Sequence, residues 1–210
     1  KLISFHINNE KIKTQRIIED LKLKKIISLV SDAGTPALSD PGKNLISKCH
    51  EQGIKVIPVP GASAILSAVS VSGFSDNFYF CGFFPKKHNE IEKYLSKIKL
   101  IKATLVFFMP ARDLEKNSEY LRKFFSRSYF LIAREMTKVH ETYIRDNMVN
   151  IKKYIHNNIK GEMTLVVDNL VKEQNDINID KEISLLIGKM TSKNIAEYLS
   201  KKLEISKKII

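Results

Sequence analysis

The stretch IISLVSDAGTPALSDPG, residues 26–42, decides the fold class. Ile26 to Val30 is an apolar run of strand length, and it breaks at once into two turns rich in Asp, Gly and Pro. A strand that ends this way and is followed by a helical pattern is the repeating unit of an α/β sheet. Gly34 and Gly42 permit positive φ, Pro36 and Pro41 fix the turns, and Asp32 and Asp40 offer acceptors to nearby backbone N–H groups. Ligands of open α/β sheets bind beyond the carboxyl ends of strands, so the loop is a candidate site. The plainer alternative is a pair of Asx turns that only organise a connection. Neither GxxxxGK[ST] nor GxGxxG is present, and two carboxylates disfavour phosphate; the loop suits a cationic or amino-bearing ligand.

The same alternation of apolar strands and helical patterns runs outward from this loop. Strands are expected at Ile26 to Val30, Lys55 to Pro58, Phe78 to Phe83, Thr104 to Phe108, Tyr129 to Ala133 and Met163 to Asp168. Helices are expected at Pro41 to Gln52, from Ala62 or Ser63 to Gly73, at Glu90 to Lys102 and at Asp113 to Phe125. The second loop, PVPGASA at Pro58 to Ala64, also follows a strand and opens a helix, so its backbone can complete one crevice with the first. VKEQNDINID, residues 171–180, is polar and aperiodic and reads as a linker. Beyond it lie two or three short helices, one capped by Thr191 or Ser192 with Ile195, Ala196 and Leu199 inward.

With 210 residues, 43% of them hydrophobic, the chain can bury a real core. Its longest apolar runs fall far short of the roughly 20 residues of a membrane span, and the chain reads as cytosolic. Cys49 and Cys81 have neither CxxC nor His spacing, so they read as small core residues, not as a disulfide or zinc ligands. A net charge of +12 is the footprint of a polyanion partner, although an Ile/Asn/Lys-rich composition alone can produce it. Residues 181–210 hold seven Lys against three Glu, a third of the net charge in a seventh of the chain. That tail reads either as a basic nucleic-acid module or as a solvated helical hairpin.

SDAGTPALSDPG, then VIPVPGASA, FCGFFPKK, AREMTKVHE and KGEMTLVV, together resemble the ribosomal RNA small subunit methyltransferase I family of the tetrapyrrole methylase superfamily. The resemblance covers nearly the whole chain. It implies a two-lobed α/β fold with its N-terminal lobe truncated: residues 1–72 as the remainder of that lobe, 73–170 as the C-terminal lobe, and 181–210 as a small basic helical unit. It implies transfer of a methyl group from S-adenosylmethionine to the 2′-oxygen of a cytidine in 16S rRNA, free or in the small ribosomal subunit, by a cytoplasmic homodimer that needs no metal. The cofactor-binding residues it implies are Ser31, Asp32, Ala33, Gly34, Thr35, Ser39, Asp40, Pro60, Gly61, Ala62, Ser63, Ala64 and Glu162. Arg134, Glu135 and Lys138 are implied at the reacting end, Arg134 and Lys138 to grip phosphate or steer the ribose and Glu135 to orient one of them; the alternative for them is a surface salt-bridge cluster. His140 is a candidate proton acceptor or a structural residue, and His6, with Asn9 and Glu10 behind it, also matches a family pattern.

The sequence departs from the family twice. It starts at Lys1, without the first strand, the TPIGNL-like loop and the AEDTR-like loop that members carry ahead of this point: if that segment is truly absent, part of the cleft is expected to be lost, and if the sequence is a piece of a longer chain, nothing is. LVFFMPARDL stands where the family has FYES.HR, with Met109 and Ala111 in place of its Glu and His. Two other functions stay open: methylation of a small tetrapyrrole-like substrate, and a non-catalytic RNA-binding remnant. The lysine-rich tail favours RNA over the tetrapyrrole.

Overall fold

The computed structural model describes residues 2–155, 160–170, 179–188 and 190–203, with backbone alone for 179–182 and 201–203. Most of the expected linker, the Lys-rich end beyond Leu203 and the side chains of Lys181, Lys201 and Lys202 lie outside the described residues. The chain divides into two units, Lys1–Leu170 and Val171–Ile210.

The first unit is built on a five-stranded sheet: β1 (Phe78–Phe83), β2 (Thr104–Pro110), β3 (Tyr129–Arg134), β4 (Thr142–Asn147) and β5 (Glu162–Val167). Their spatial order is β1-β2-β5-β3-β4. β1 and β2 are parallel, whereas β5 runs antiparallel to both of its neighbours, β2 and β3. Helices cover both faces, so the three central strands read as continuous apolar runs instead of alternating with polar residues. Leu105, Phe107, Met109, Phe130, Ile132, Met163, Leu165 and Val167 point to one face. There they meet Ile91, Leu95 and Ile98 of α4 (His88–Ile98) and Leu114, Leu121 and Phe125 of α5 (Leu114–Phe125). Val106, Leu131, Ala133 and Val166 point the other way, against Ile65 and Ala68 of α3 (Ala64–Ser72). Among the small residues of α3, Ala68 is fully buried in this packing, whereas Ser67 and Ser70 are exposed.

A separate cluster forms where Ile17 and Ile18 of α1 (Glu10–Lys22) meet Leu45 and Cys49 of α2 (Lys43–Glu51). Gly53 follows α2 with φ +68, the left-handed turn expected of a C-terminal glycine. Cys49 is buried there, and Cys81 is half-buried, its thiol pushed up to about 12 by desolvation.

The expected strands at Ile26 to Val30 and Lys55 to Pro58 do not form. Both runs are extended, but neither pairs with a strand among the described residues. Ile27 packs on the α1–α2 cluster, while Ile26 and Val59 stay 98% and 88% exposed. Apolar β-branched composition gives a run the tendency to be a strand; a ladder also needs an edge to pair with. Four elements escaped the sequence reading: α1, β4 and the 3₁₀ turns Ala111–Asp113 and Met148–Tyr154. In the second unit, α6 (Ile179–Leu186) and α7 (Ser192–Leu203) are present. Thr191 Oγ1 accepts from Asn194 N–H (3.4 Å), and Ile195 and Leu199 are buried as expected. Among the described residues no helix is long and apolar enough to cross a membrane.

Asp146 locks the edge strand β4 to the turn after it. Its carboxylate accepts from Asn150 Nδ2 (2.9 Å), from the Tyr154 hydroxyl (2.7 Å) and from Asn147 N–H (2.6 Å). These bonds, that from Asn150 foremost, hold it below the ordinary carboxylate range. A depressed folded-state pKa gives stabilisation that is complete above the ordinary value, about 4, and lost as the pH falls. Asp146→Asn should therefore lower the thermal midpoint at pH 7, and the gap from the native protein should close on acidification. Melts across that range test this; a gap independent of pH would contradict it.

Candidate functional site

Among the described residues, the Ser31–Gly42 loop gathers more positive-φ positions than any other loop. Gly34, Ala37, Ser39 and Gly42 have φ of +70, +65, +64 and +134. Non-glycine residues in that region cost on the order of 1–3 kcal/mol each and persist only where surrounding contacts impose them. The contacts are visible. Ser31 Oγ donates to the Ala33 carbonyl (3.1 Å), and Leu38 N–H to the Thr35 carbonyl (3.4 Å). Gly42 is packed so closely that an added Cβ would lie 2.6 Å from Leu29 Cδ2 and 3.1 Å from Ala37 Cβ. Its N–H donates to Glu10 Oε1 (3.1 Å) from the first turn of α1. The loop is thus pinned by the extended segment before it, by its own first turn and by a helix.

What this folding leaves outward is polar and unengaged. Asp32 and Asp40 are exposed, and neither forms an ion pair among the described residues. The carboxylates and the N–H groups of Ala33 to Thr35, whose carbonyls already accept bonds within the loop, can therefore meet a ligand carrying positive charge and hydrogen-bonding groups. In the second loop, Pro60, Gly61 and Ala62 are exposed and extended. Ser63 caps α3 by accepting from Leu66 N–H (3.4 Å), and Ala64 is its first residue. A Cβ at Gly61 would meet only the Val59 carbonyl oxygen at 4.0 Å, an ordinary contact, so the protein's own packing does not require glycine there. No hydrogen bond among the described residues joins this loop to residues 31–42.

The third group lies where β3 ends and β5 begins. Arg134 donates from its guanidinium to the Lys160 carbonyl (3.2 Å) and to Thr142 Oγ1 (3.3 Å). Glu135 Oε1 accepts from Lys138 Nζ (2.9 Å) and from Glu162 N–H (3.0 Å). These two bonds, the backbone one foremost, hold the Glu135 carboxyl below its ordinary range, and the same ion pair raises the Lys138 ammonium. Arg134, Glu135, Lys138 and Glu162 are thus brought together, with Arg134 engaged by the Lys160 carbonyl and the Thr142 hydroxyl. Glu162 and Lys160 present exposed side chains. His140 is exposed, and its carbonyl accepts from Thr142 Oγ1. His6, whose N–H donates to Asn9 Oδ1 (2.8 Å), begins the turn that starts α1. Met109 and Ala111, at the family's Glu and His positions, are buried in the core.

Glu10 and Gly161 went unassigned in sequence. Their partners, Gly42 and Glu135, stand far from them in the chain, and only Glu10's place in a first helical turn hinted at an acceptor role.

The chain matches the family model of Tetrapyrrole (Corrin/Porphyrin) Methylases over residues 4–151. It is 40% identical over 169 residues to the ribosomal RNA small subunit methyltransferase I of Thermotoga maritima, covering 79% of this chain and 75% of that protein. The protein of that name in Haemophilus influenzae is 34% identical, covering 94% and 73%. That in Pasteurella multocida is 37% identical, covering 82% of this chain, which spans only 63% of the relative's length. Among solved structures, a diphthine synthase superimposes with a TM-score of 0.60 at 16% identity (80% of this chain, 69% of that one). The methyltransferase CobJ gives 0.56 at 17% (76% and 71%). At such identities these two likenesses speak to fold alone.

Removing the Glu10 acceptor should release the second turn of the first loop. Glu10→Ala is expected to raise amide hydrogen exchange at residues 39–42 by about tenfold, the scale of one lost hydrogen bond to a carboxylate, with α5 unaffected. Exchange followed by mass spectrometry checks this; unchanged protection at 39–42 would mean the loop holds itself.

Proposed function

The chain belongs to the tetrapyrrole (corrin/porphyrin) methylase family and, within it, to the ribosomal RNA small subunit methyltransferase I proteins, and from that membership we propose that it methylates the 2′-oxygen of a cytidine in 16S rRNA using S-adenosylmethionine. The observation that carries this reading is the Ser31–Gly42 loop: strained, pinned from three sides, and presenting two exposed carboxylates that form no ion pair among the described residues.

The donor set fits the cofactor, which bears a sulfonium, an ammonium, a carboxylate and hydrogen-bonding ribose and adenine groups. Asp32 and Asp40 match the cationic groups by charge, and the N–H groups of Ala33 to Thr35 supply directional donors for the carboxylate and the hydrogen-bonding groups. Pro60 to Ala64 and the exposed Glu162 complete the proposed contact set. When bound, S-adenosylmethionine supplies an activated methyl group; the residues of this chain hold and orient. Prefixed geometry is the main contribution a protein makes to such a transfer, and a loop locked before ligand arrives supplies it. Lys138 stands at the reacting end, where it balances Glu135 and adds positive charge toward a ribose-phosphate chain. The basic excess, including the lysines of residues 181–210, supports an RNA substrate, free or within the small subunit, over a tetrapyrrole. A cytoplasmic homodimer completes the proposal, on the strength of the family resemblance.

Calorimetry with S-adenosylmethionine and transfer of labelled methyl to small subunits test the reading; absence of both in the intact protein would overturn it. Asp32→Ala should weaken cofactor binding by about tenfold or more, and Lys138→Ala by less, since only Asp32 is placed on the cofactor loop. Equal losses would remove Asp32 from that role. Deleting residues 181–210 should weaken RNA binding and flatten its dependence on salt, because phosphate-facing lysines are lost. An unchanged salt slope would make the tail structural.

A further inference from the structure

The last rung of the β3–β5 ladder is unusual. The register pairs Arg134 with Met163, so Glu135 and Glu162 form the next pair, where an antiparallel ladder exchanges two N–H···O=C bonds. One is present: Glu135 N–H donates to the Glu162 carbonyl (3.1 Å). The return bond ends elsewhere. Glu135 has φ +51, its backbone turns away, and its carbonyl accepts instead from Lys138 N–H (3.0 Å). The Glu135 carboxylate takes the place of that carbonyl and accepts Glu162 N–H at 3.0 Å.

Gly161 makes the substitution possible. A Cβ there would lie 2.5 Å from Glu135 Cδ and Oε1, and its φ is +95. The rest of the turn is held as firmly. Ala111 N–H, at the end of β2, donates to the Gly161 carbonyl (2.9 Å), and Arg134 donates to the Lys160 carbonyl. With those carbonyls, and residue 162's N–H and carbonyl, all engaged, the side chains of Lys160 and Glu162 are what the turn offers outward. Glu135 itself is mostly covered, 18% of its side chain exposed against 54% for Lys138.

We propose that Glu135 is a positioning residue: by replacing a backbone carbonyl in the ladder it fixes the Lys160–Glu162 turn, so that Glu162 meets the cofactor in one conformation. The proposal rests on the reading of Glu162 as a contact of S-adenosylmethionine. It gives Glu135 the Lys160–Glu162 turn to orient, where the sequence suggested Arg134 or Lys138.

Binding of S-adenosylmethionine to the intact protein, measured by calorimetry, tests this with Glu135→Ala, Glu135→Asp, Glu135→Gln, Glu162→Ala and the Glu135→Ala/Glu162→Ala double variant. Glu135→Ala should weaken binding by about tenfold. Glu135→Asp, which keeps the charge but shortens the reach, should weaken it similarly. Glu135→Gln keeps an acceptor oxygen and should stay within about threefold of the native protein. In the Glu162→Ala background Glu135→Ala should cost nothing further, because residues acting through one another are not additive. Losses that multiply, or a Gln variant as weak as the Ala variant, would overturn the positioning role. If Glu162→Ala weakens binding and Glu135→Ala does not, the latch alone fails. If Glu162→Ala binds as tightly as the native protein, the proposal falls together with the assignment of Glu162.

Discussion

Everything at the candidate site in the C-terminal half depends on the direction of β5. The strand enters the sheet between β2 and β3, antiparallel to both, and is buried on its two faces by Met163, Leu165 and Val167 on one side and Val166 on the other. Because it runs opposite to its neighbours, its beginning lies beside their ends. The turn before β5, the loop after β3 and the residue after β2 are therefore gathered at one edge of the sheet, where Arg134, Ala111 and Glu135 can all reach residues 160–162. Reversing β5 would leave the buried faces similar and scatter that cluster to opposite ends.

The same local device appears twice. In each strained loop a glycine with positive φ has no room for a Cβ, and in each a glutamate from another element accepts a backbone N–H: Glu10 from Gly42, Glu135 from Glu162. A carboxylate is a stronger acceptor than a neutral carbonyl, and a buried or half-buried N–H left without one is costly. Such bonds can hold Ala37, Ser39, Glu135 and Thr137 in conformations that their own side chains disfavour. Rigidity at these two places is thus imposed from outside the loops.

The sheet was legible to the extent that burial wrote it into composition. Phe78–Phe83 was bounded correctly, and Thr104 to Phe108, Tyr129 to Ala133 and Met163 to Asp168 differ from the strands formed by one or two residues, because apolar runs flanked by turns leave little choice. β4, whose TYIRDN carries Arg145 and Asp146, escaped notice; an edge strand needs no such run. Ile26 to Val30 and Lys55 to Pro58 erred the other way, since composition cannot say whether a partner edge exists. In the loops, Gly, Pro and Asp marked a backbone of unusual conformation, and Gly34, Ala37, Ser39 and Gly42 have positive φ there. What no local pattern could reveal was the anchor at a distance: Glu10 lies 32 positions from Gly42, and Glu135 lies 27 from Glu162.

The central place of β5 also sets an order of events for the growing chain. The β3–β4 hairpin joins neighbouring segments and can form as soon as both exist. The partners of β5 are made much earlier, so β2 and β3 must wait with a facing edge open until residues 162–167 are available. Pairings of such sequence separation form slowly, and open apolar edges invite pairing with other chains meanwhile. Synthesis that stalled shortly before Glu162 would leave an intermediate with two sticky edges and no native way to cover them, making this stretch the point at which the protein depends most on the machinery that shelters nascent chains.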